Sequence, residues 1–367
     1  MINLKSLLNG AMKLQASDIH LIEGVQPYLR IQGDLRRVDS PKLTAQDMSE
    51  VLQTILPEHL NHVLQRDRGV DFSYQLEEKA RYRCIAFFQD EKLGIAMRWI
   101  PYVVPTIDDL EMPEVIKYIA LFQRGLILVT GITGCGKSTT LAAMINHLNH
   151  HDARRVITVE DPIEYKFENV KCIISQREIG KDVADFTTAL RQSLRSDPDV
   201  IMIGEMRDVE TIRVAIKAAE TGHLVISTLH TTNALHTVQR IIGHFPEEEH
   251  DLLRGQLSLN LKATITQRLV KTANGVGPGR MAAMEIMIVN SVVAKLIKDN
   301  RVPDIFGIIR SRDDGMQTID QALADLVRDK RITFEQGKKA CDDFYAYKRF
   351  IAGMAASGDR GAITAMA

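Results

Sequence analysis

Cysteine is scarce in this 367-residue chain: Cys84, Cys135, Cys172 and Cys341 are scattered, and even the closest pair lies 37 positions apart (172 − 135). That spacing supplies neither a CxxC zinc clip nor a disulfide framework, so reduced thiols are expected. Aromatic residues make up only 5% of the chain, with one tryptophan, too few for the stacking platforms of a single-strand nucleic-acid binder. An excess of one charge is missing too. Forty-six Lys+Arg face 47 Asp+Glu, and a pI near 6.8 argues against a protein that neutralises phosphate backbones. No uninterrupted apolar stretch approaches the ~20 residues that cross a bilayer. The opening MINLKSLLNGAMKLQASD is too short and polar for the apolar core of a signal peptide, so a cytoplasmic protein is expected.

What is present is an ordinary globular composition, 45% apolar and 25% charged, in a chain long enough for two or three domains. Up to about residue 100 the pattern predicts a small α/β or α+β unit. Short strands are expected at Asp18–Ile22, Tyr28–Ile31 and Leu35–Val38, with a turn at Gly33-Asp34. Two helices follow, one opened by a Thr44/Asp47 capping box and one with Pro57 at its start. A later strand group comprises Val70–Tyr74, Arg81–Phe88 and Gly94–Ile100. Pro101-Tyr102-Val103-Val104-Pro105 can continue neither a helix nor a central strand, which places a domain boundary there. Beyond Gly125 the pattern becomes buried strands separated by helices: Leu126–Thr130, Val156–Val159, Val200–Ile203 and Leu224–Thr228. That implies a parallel sheet covered on both faces. After about residue 290 the chain reads as helical, with a capping box at Thr333/Gln336, and from 353 as a flexible Gly/Ala/Ser tail.

Chemistry concentrates after the first of these buried strands. Gly131-Ile132-Thr133-Gly134-Cys135-Gly136-Lys137-Ser138 fits GxxxxGK[ST], between a predicted strand and a predicted helix. The glycines let successive N–H groups turn toward phosphates, and the helix N-terminus adds partial positive charge. Lys137 would reach the β- and γ-phosphates of ATP and the Ser138 hydroxyl would ligate Mg²⁺, with Thr139 continuing the cradle. Cys135 reads either as a small residue or as a thiolate stabilised by the helix N-terminus. Such a loop needs a carboxylate from a second strand. Two strands offer one: Val156–Val159, ending in Glu160 and Asp161, and Val200–Ile203, where Gly204 stands in the usual aspartate position and Glu205 follows. Metal support from Glu160 or Asp161 leaves Glu205 to orient and deprotonate water. The strand from His223 to His230 puts His230 beside the phosphates, while His223 reads equally as a histidine at a helix-to-strand corner. In the small domain, Arg81 and Arg83 share a face and Arg98 falls near Arg83 if these strands pair. Opposed like charges would want an anion, such as a nucleotide held by a neighbouring subunit.

Taken in order, these motifs resemble the Walker A, Asp box, atypical Walker B and His box of the secretion-superfamily ATPases. Nearly the whole chain, including Ala16-Ser17-Asp18-Ile19-His20 and Gly315–Asp320, is similar to the type IV pilus retraction family of PilT and PilU. A glycine at 204 is normal for that family. The resemblance implies a PAS-like α/β domain (1–100), a linker (101–108), a RecA-like P-loop core (109–290) and a helical region (291–352) ahead of the tail (353–367). It further implies a homohexamer that binds ATP and Mg²⁺ between the two domains. Glu205 would be the catalytic glutamate, with Glu160 and Asp161 in the Asp box, Glu160 with Ser138 at the metal, and His223 and His230 in the His box. Arg81, Arg83 and Arg98 would act as phosphate-contacting fingers. The partners implied are an inner-membrane pilus platform protein and a paralogous retraction ATPase, with docking from the cytoplasm at the pilus base and no nucleic acid. Two features depart from PilT: Val292–Ile297 lacks the arginine of its AIRNLI motif, and Leu257–Ala263 looks like PilU. The competing readings are a pilus-assembly or secretion ATPase, a nucleic-acid translocase, and a nucleotide-dependent scaffold without turnover. The lack of a long N-terminal extension and of a four-cysteine zinc module favours retraction over assembly.

Overall fold

The computed structural model describes residues 3–31, 33–77, 80–100, 103–276 and 279–353. The tail expected from residue 353 lies, from 354 onward, outside the described residues, as do Pro101 and Tyr102 of the expected linker. The chain divides into two compact units, one of residues 1–103 with 164–166 and one of residues 104–163 with the chain from 167.

In the first unit six strands form one antiparallel sheet: β1 (Ala16–Ile22), β2 (Tyr28–Ile31), β3 (Asp34–Arg37), β4 (Gly69–Leu76), β5 (Ala80–Gln89) and β6 (Lys92–Ile100). Their order is β3-β2-β1-β6-β5-β4. The two strand groups read separately from the sequence are fused through β1 and β6, paired from Asp18↔Arg98 to Ile22↔Gly94. Leu8, Met48, Val51 and Leu64 from the helices join Ile19, Leu21, Tyr82, Cys84 and Met97 in one buried core. The Thr44/Asp47 capping box is present, whereas Pro57 opens a 3₁₀ turn, Glu58–Leu60, ahead of the helix Asn61–Asp67. Strands β5 and β6 meet at a two-residue turn, Asp90-Glu91, with both φ positive (48° and 61°), as tight hairpins require. Gly94 does not lengthen this loop. It sits in β6 opposite Phe87, where a Cβ would come within 2.7 Å of the phenyl ring.

The second unit is built on seven strands: β7 (Gly125–Thr130), β8 (Arg155–Glu160), β9 (Ile173–Glu178), β10 (Val200–Ile203), β11 (Leu224–Leu229), β12 (Leu261–Lys271) and β13 (Arg280–Ile288). The order is β13-β12-β7-β11-β10-β8-β9, parallel except for the antiparallel edge strand β13. Every residue of β7, β10 and β11 is buried, as strands covered on both faces demand. This is a RecA-like α/β core, with β7, β10 and β11 ending together at the P-loop side of the sheet. From residue 291 to 353 the chain is mainly helical, and Leu323 and Tyr347 from that region close a further core with Val270 and Met281. Capping boxes stand at Thr318/Gln321 and Thr333/Gln336. Among the described residues no helix is long and apolar enough to cross a membrane.

Candidate active site

The glycine-rich loop lies where the sequence placed it, between β7 and the helix Lys137–His151. Gly131, Gly134 and Gly136 have φ of 141°, 78° and 94°, so the loop's curvature depends on residues without a Cβ. At Gly131 the constraint is also spatial: a Cβ would lie 2.6 Å from both Cys135 Sγ and the Gln267 carbonyl oxygen. Cys135 fills the inside of this turn and is 3% exposed, and burial pushes its thiol up despite the opposing charge of Lys137. Of the two sequence readings for Cys135, packing is the one this environment favours. Ser138 and Thr139 are half-buried in the first turn of the helix.

Lys137 Nζ donates to the carbonyls of Gly131 (2.9 Å) and Ile132 (3.2 Å) and stands 3.5 Å from His230 Nδ1. His230 Nε2 in turn lies 2.9 Å from Glu205 Oε1. The tautomer protonated at Nε2 satisfies both sides, donating to the carboxylate and turning the Nδ1 lone pair toward the ammonium. Glu205 Oε2 accepts from Arg207 Nε at 2.9 Å, so its two oxygens are clasped by different residues. Arg207, two residues beyond Glu205, was given no role by the sequence alone. Gly204 precedes this carboxylate at the end of β10, where a Cβ would stand 3.4 Å from the Val159 oxygen and 3.5 Å from Glu160 Cα, in ordinary contact with the end of β8.

Glu160 is buried at the end of β8, where Oε1 accepts from Thr158 Oγ1 (2.7 Å) and Gln176 Nε2 (3.2 Å). Asp161, the next residue, is exposed. His223 is not brought to the phosphate side. It precedes β11 at the opposite end, about 20 Å away at ordinary strand rise, with Nδ1 bonded to Ala218 O (3.0 Å) and near Thr221 Oγ1 (3.1 Å). The three arginines belong to the first unit. Arg83 and Arg98 are directly opposed across β5 and β6, but the anions near them are internal: Arg98 donates to Asp18 (2.8 Å) and Arg83 lies 4.0 Å from Asp71. Arg81 is buried and donates to Ser73 Oγ at 3.1 Å. Burial would raise the Asp18 carboxyl, yet the bonds from Arg98 and Ser17 outweigh it and hold it below its ordinary value.

The β12–β13 pair carries residues that no motif pointed to. Thr266 Oγ1 lies 2.8 Å from Thr130 Oγ1, at the entrance of the loop. Gln267, 1% exposed, donates through Nε2 to the Cys135 carbonyl (2.6 Å) and accepts through Oε1 from Thr140 Oγ1 (2.7 Å). Glu285, across from Thr266, accepts from the Ala234 N–H at 2.7 Å and so tethers the helix Ala234–Gly243 that follows His230. A cavity of about 120 Å³ with Leu110, Met112, Leu269 and Met281 among its walls adjoins Gly136, Thr139 and Gln267.

The type II/IV secretion system protein family matches residues 1–336 of the chain. The type IV pilus retraction ATPase PilT of Pseudomonas aeruginosa is 42% identical over 92% of this chain and 98% of its own length. The chain belongs to the PilT/PilU family of type II/IV secretion system proteins. Within that family, PilU of the same organism is 38% identical over 92% of this chain and 88% of its own. A crystal structure of the pilus retraction motor PilT with bound ADP matches with a TM-score of 0.87 and 38% identity, covering 95% of this chain and all of that one. The assembly ATPase PilB of Myxococcus xanthus is more distant, at 32% identity over 72% of this chain and 47% of its own.

Proposed function

We propose that this protein is an ATP-hydrolysing motor that withdraws a type IV pilus. The observation that carries the chemistry is the convergence of Lys137, His230 and Glu205 at the carboxyl ends of β7, β11 and β10, the place where parallel α/β sheets bind ligands. ATP would lay its phosphates along the loop from Gly131 to Thr139, with Lys137 exchanging its carbonyl partners for phosphate oxygens. The apolar cavity beside Thr139 and Gln267 suits the adenine ring. The residues fit a magnesium ion: Ser138 offers a hydroxyl beside the phosphates and Glu160 and Asp161 offer carboxylates, a sparse protein ligand set of the kind Mg²⁺ accepts when phosphates complete its shell. Bound there, the ion would neutralise developing phosphate charge. Glu205 would orient the attacking water and take its proton, and His230 would fix that carboxylate and face the terminal phosphate.

Retraction rather than assembly is favoured by the higher identity to PilT and PilU than to PilB. We infer a homohexamer docked on an inner-membrane platform protein, in which the half-buried Arg83 and the exposed Arg98 exchange their internal carboxylates for phosphates held by a neighbouring subunit. His223 would act at such a boundary, away from its own chain's phosphates. The test has two levels. Lys137→Ala should weaken nucleotide binding, while Glu205→Ala should leave binding nearly intact and reduce turnover by at least ~100-fold; undiminished turnover in Glu205→Ala would end its assignment as base. In a deletion strain, excess surface pili with lost twitching indicates retraction, whereas loss of pili indicates assembly.

A further inference from the structure

We propose that Gln267 is a positioning residue for the phosphate cradle, locking the peptide plane between Cys135 and Gly136 so that the Gly136 N–H faces the phosphates. A trans peptide is planar, with its C=O and N–H pointing in opposite directions, so fixing one fixes the other. The Cys135 carbonyl is pulled outward by Gln267 Nε2 at 2.6 Å, and the amide of Gly136 must then turn inward. The carboxamide is itself held in orientation, because its oxygen accepts from Thr140 Oγ1 at 2.7 Å. Thr140 lies in the first turn of the helix that leaves the loop, and its own N–H donates to Gly136 O at 3.0 Å. The same strand secures the loop's entrance through the Thr266–Thr130 contact. Strand β12 thus grips the cradle at its beginning, middle and end.

The glycines agree with this arrangement. A Cβ at Gly131 would collide with the Gln267 backbone carbonyl, and one at Gly136 would stand 3.1 Å from Gln267 Nε2. Two of the loop's glycines are therefore shaped by the strand behind them as well as by the phosphates in front. A carboxamide fits both partners whatever the pH: the Cys135 carbonyl needs a donor and the Thr140 hydroxyl needs an acceptor. Leucine would leave both unpaired in a buried place, and an ionised glutamate would face the carbonyl with a second acceptor.

The proposal rests on reading this loop as the nucleotide site, and the experiment separates the two. On the full-length protein, dissociation constants for a fluorescent ADP analogue and KM and kcat for ATP are measured for wild type, Lys137→Ala, Gln267→Leu and Gln267→Glu, with melting temperatures alongside. An orienting N–H acts on ground state and transition state alike, so Gln267→Leu should raise Kd and KM by about 10-fold or more while kcat changes much less. Gln267→Glu should bind weakly at neutral pH and recover affinity, relative to wild type at the same pH, as the pH is lowered and its protonated carboxyl again donates to Cys135 O. That recovery cannot come from general loosening, so it decides the matter even if the leucine variant folds poorly. Wild-type affinity in folded Gln267→Leu, or an affinity of Gln267→Glu that does not respond to pH, overturns the proposal while the nucleotide site stands. Absence of ADP-analogue binding to wild type overturns both.

Discussion

At the scale of single residues, the site is an arrangement of paired groups, and each pairing has a measurable consequence. Glu205 is held between His230 and Arg207, so its carboxylate is oriented before any substrate arrives. Replacing His230 by alanine should lower kcat by about 10- to 100-fold with little change in nucleotide affinity, because it frees the base without altering the cradle; steady-state kinetics with equilibrium binding check this. Glu285 yields a prediction in pH. Burial pushes its carboxyl up from 4.5 to about 7, against the Ala234 N–H that favours the charged form, with Asp342 and Asp320 raising it further and Arg268 lowering it. The folded state therefore retains a proton that the unfolded chain releases between these values. Its contribution to stability is complete below about pH 4.5 and is lost as pH rises through 7. Thermal melts should show wild type losing stability between pH 5 and 8, by at most ~3 kcal/mol, and Glu285→Gln losing less. The loop, Glu205 and His230 were legible in the sequence because each sits in a contiguous pattern with a fixed chemical meaning. Gln267, Arg207 and Glu285 were not. Gln267 acquires its role from Cys135, 132 positions earlier, and Glu285 from Ala234, 51 positions earlier, so no local spacing announces either one.

Among the elements, the strands that sequence reading found were those with unbroken aliphatic runs. β7, β8, β10 and β11 are of this kind, and their ends fall within a residue or two of the expectation. β9, β12 and β13 escaped notice, and for β12 the reason is its function: Thr264, Thr266 and Gln267 are buried polar residues that break the apolar pattern a covered strand should show. In the first unit the register of β5 and β6 was not legible, since nothing local to Gly94 announces the Phe87 ring that it faces across the pair. Helix starts were clearer, because a capping box is a local device. Thr318, whose hydroxyl accepts from the Gln321 N–H in a buried box, should cost about 1 kcal/mol when changed to alanine, as read by urea denaturation. Gly125, at the start of β7, is less forgiving. With φ of 109° and a Cβ site only 2.7 Å from the Asn260 carbonyl oxygen, alanine there should cost about 1–3 kcal/mol or more and loosen the strand that leads into the loop.

For the whole molecule, the two units have separate buried cores, one around Met97 and Tyr82 and one around the seven-stranded sheet. Met97→Ala should cost about 2–5 kcal/mol within the first unit. Hydrogen exchange should then rise across β1 to β6 while β7, β10 and β11 keep their protection. The near-zero net charge, 46 against 47, conceals a sorted distribution, with Lys137 at the cradle and Glu160, Asp161 and Glu205 on the neighbouring strand ends. A single-stranded DNA added to the ATPase assay should therefore leave turnover unchanged; stimulation that fades steeply with salt would revive the translocase reading. The dependence of the cradle on β12 also sets an order of events at the ribosome. The glycine-rich loop is synthesised 132 residues before the glutamine that pins it, which at synthesis rates of about 5–20 residues per second is a delay on the order of 10 s. Through that interval the nascent chain carries the complete nucleotide signature without the strand that shapes it, and a newborn chain completes its cradle only when most of the second unit has left the ribosome.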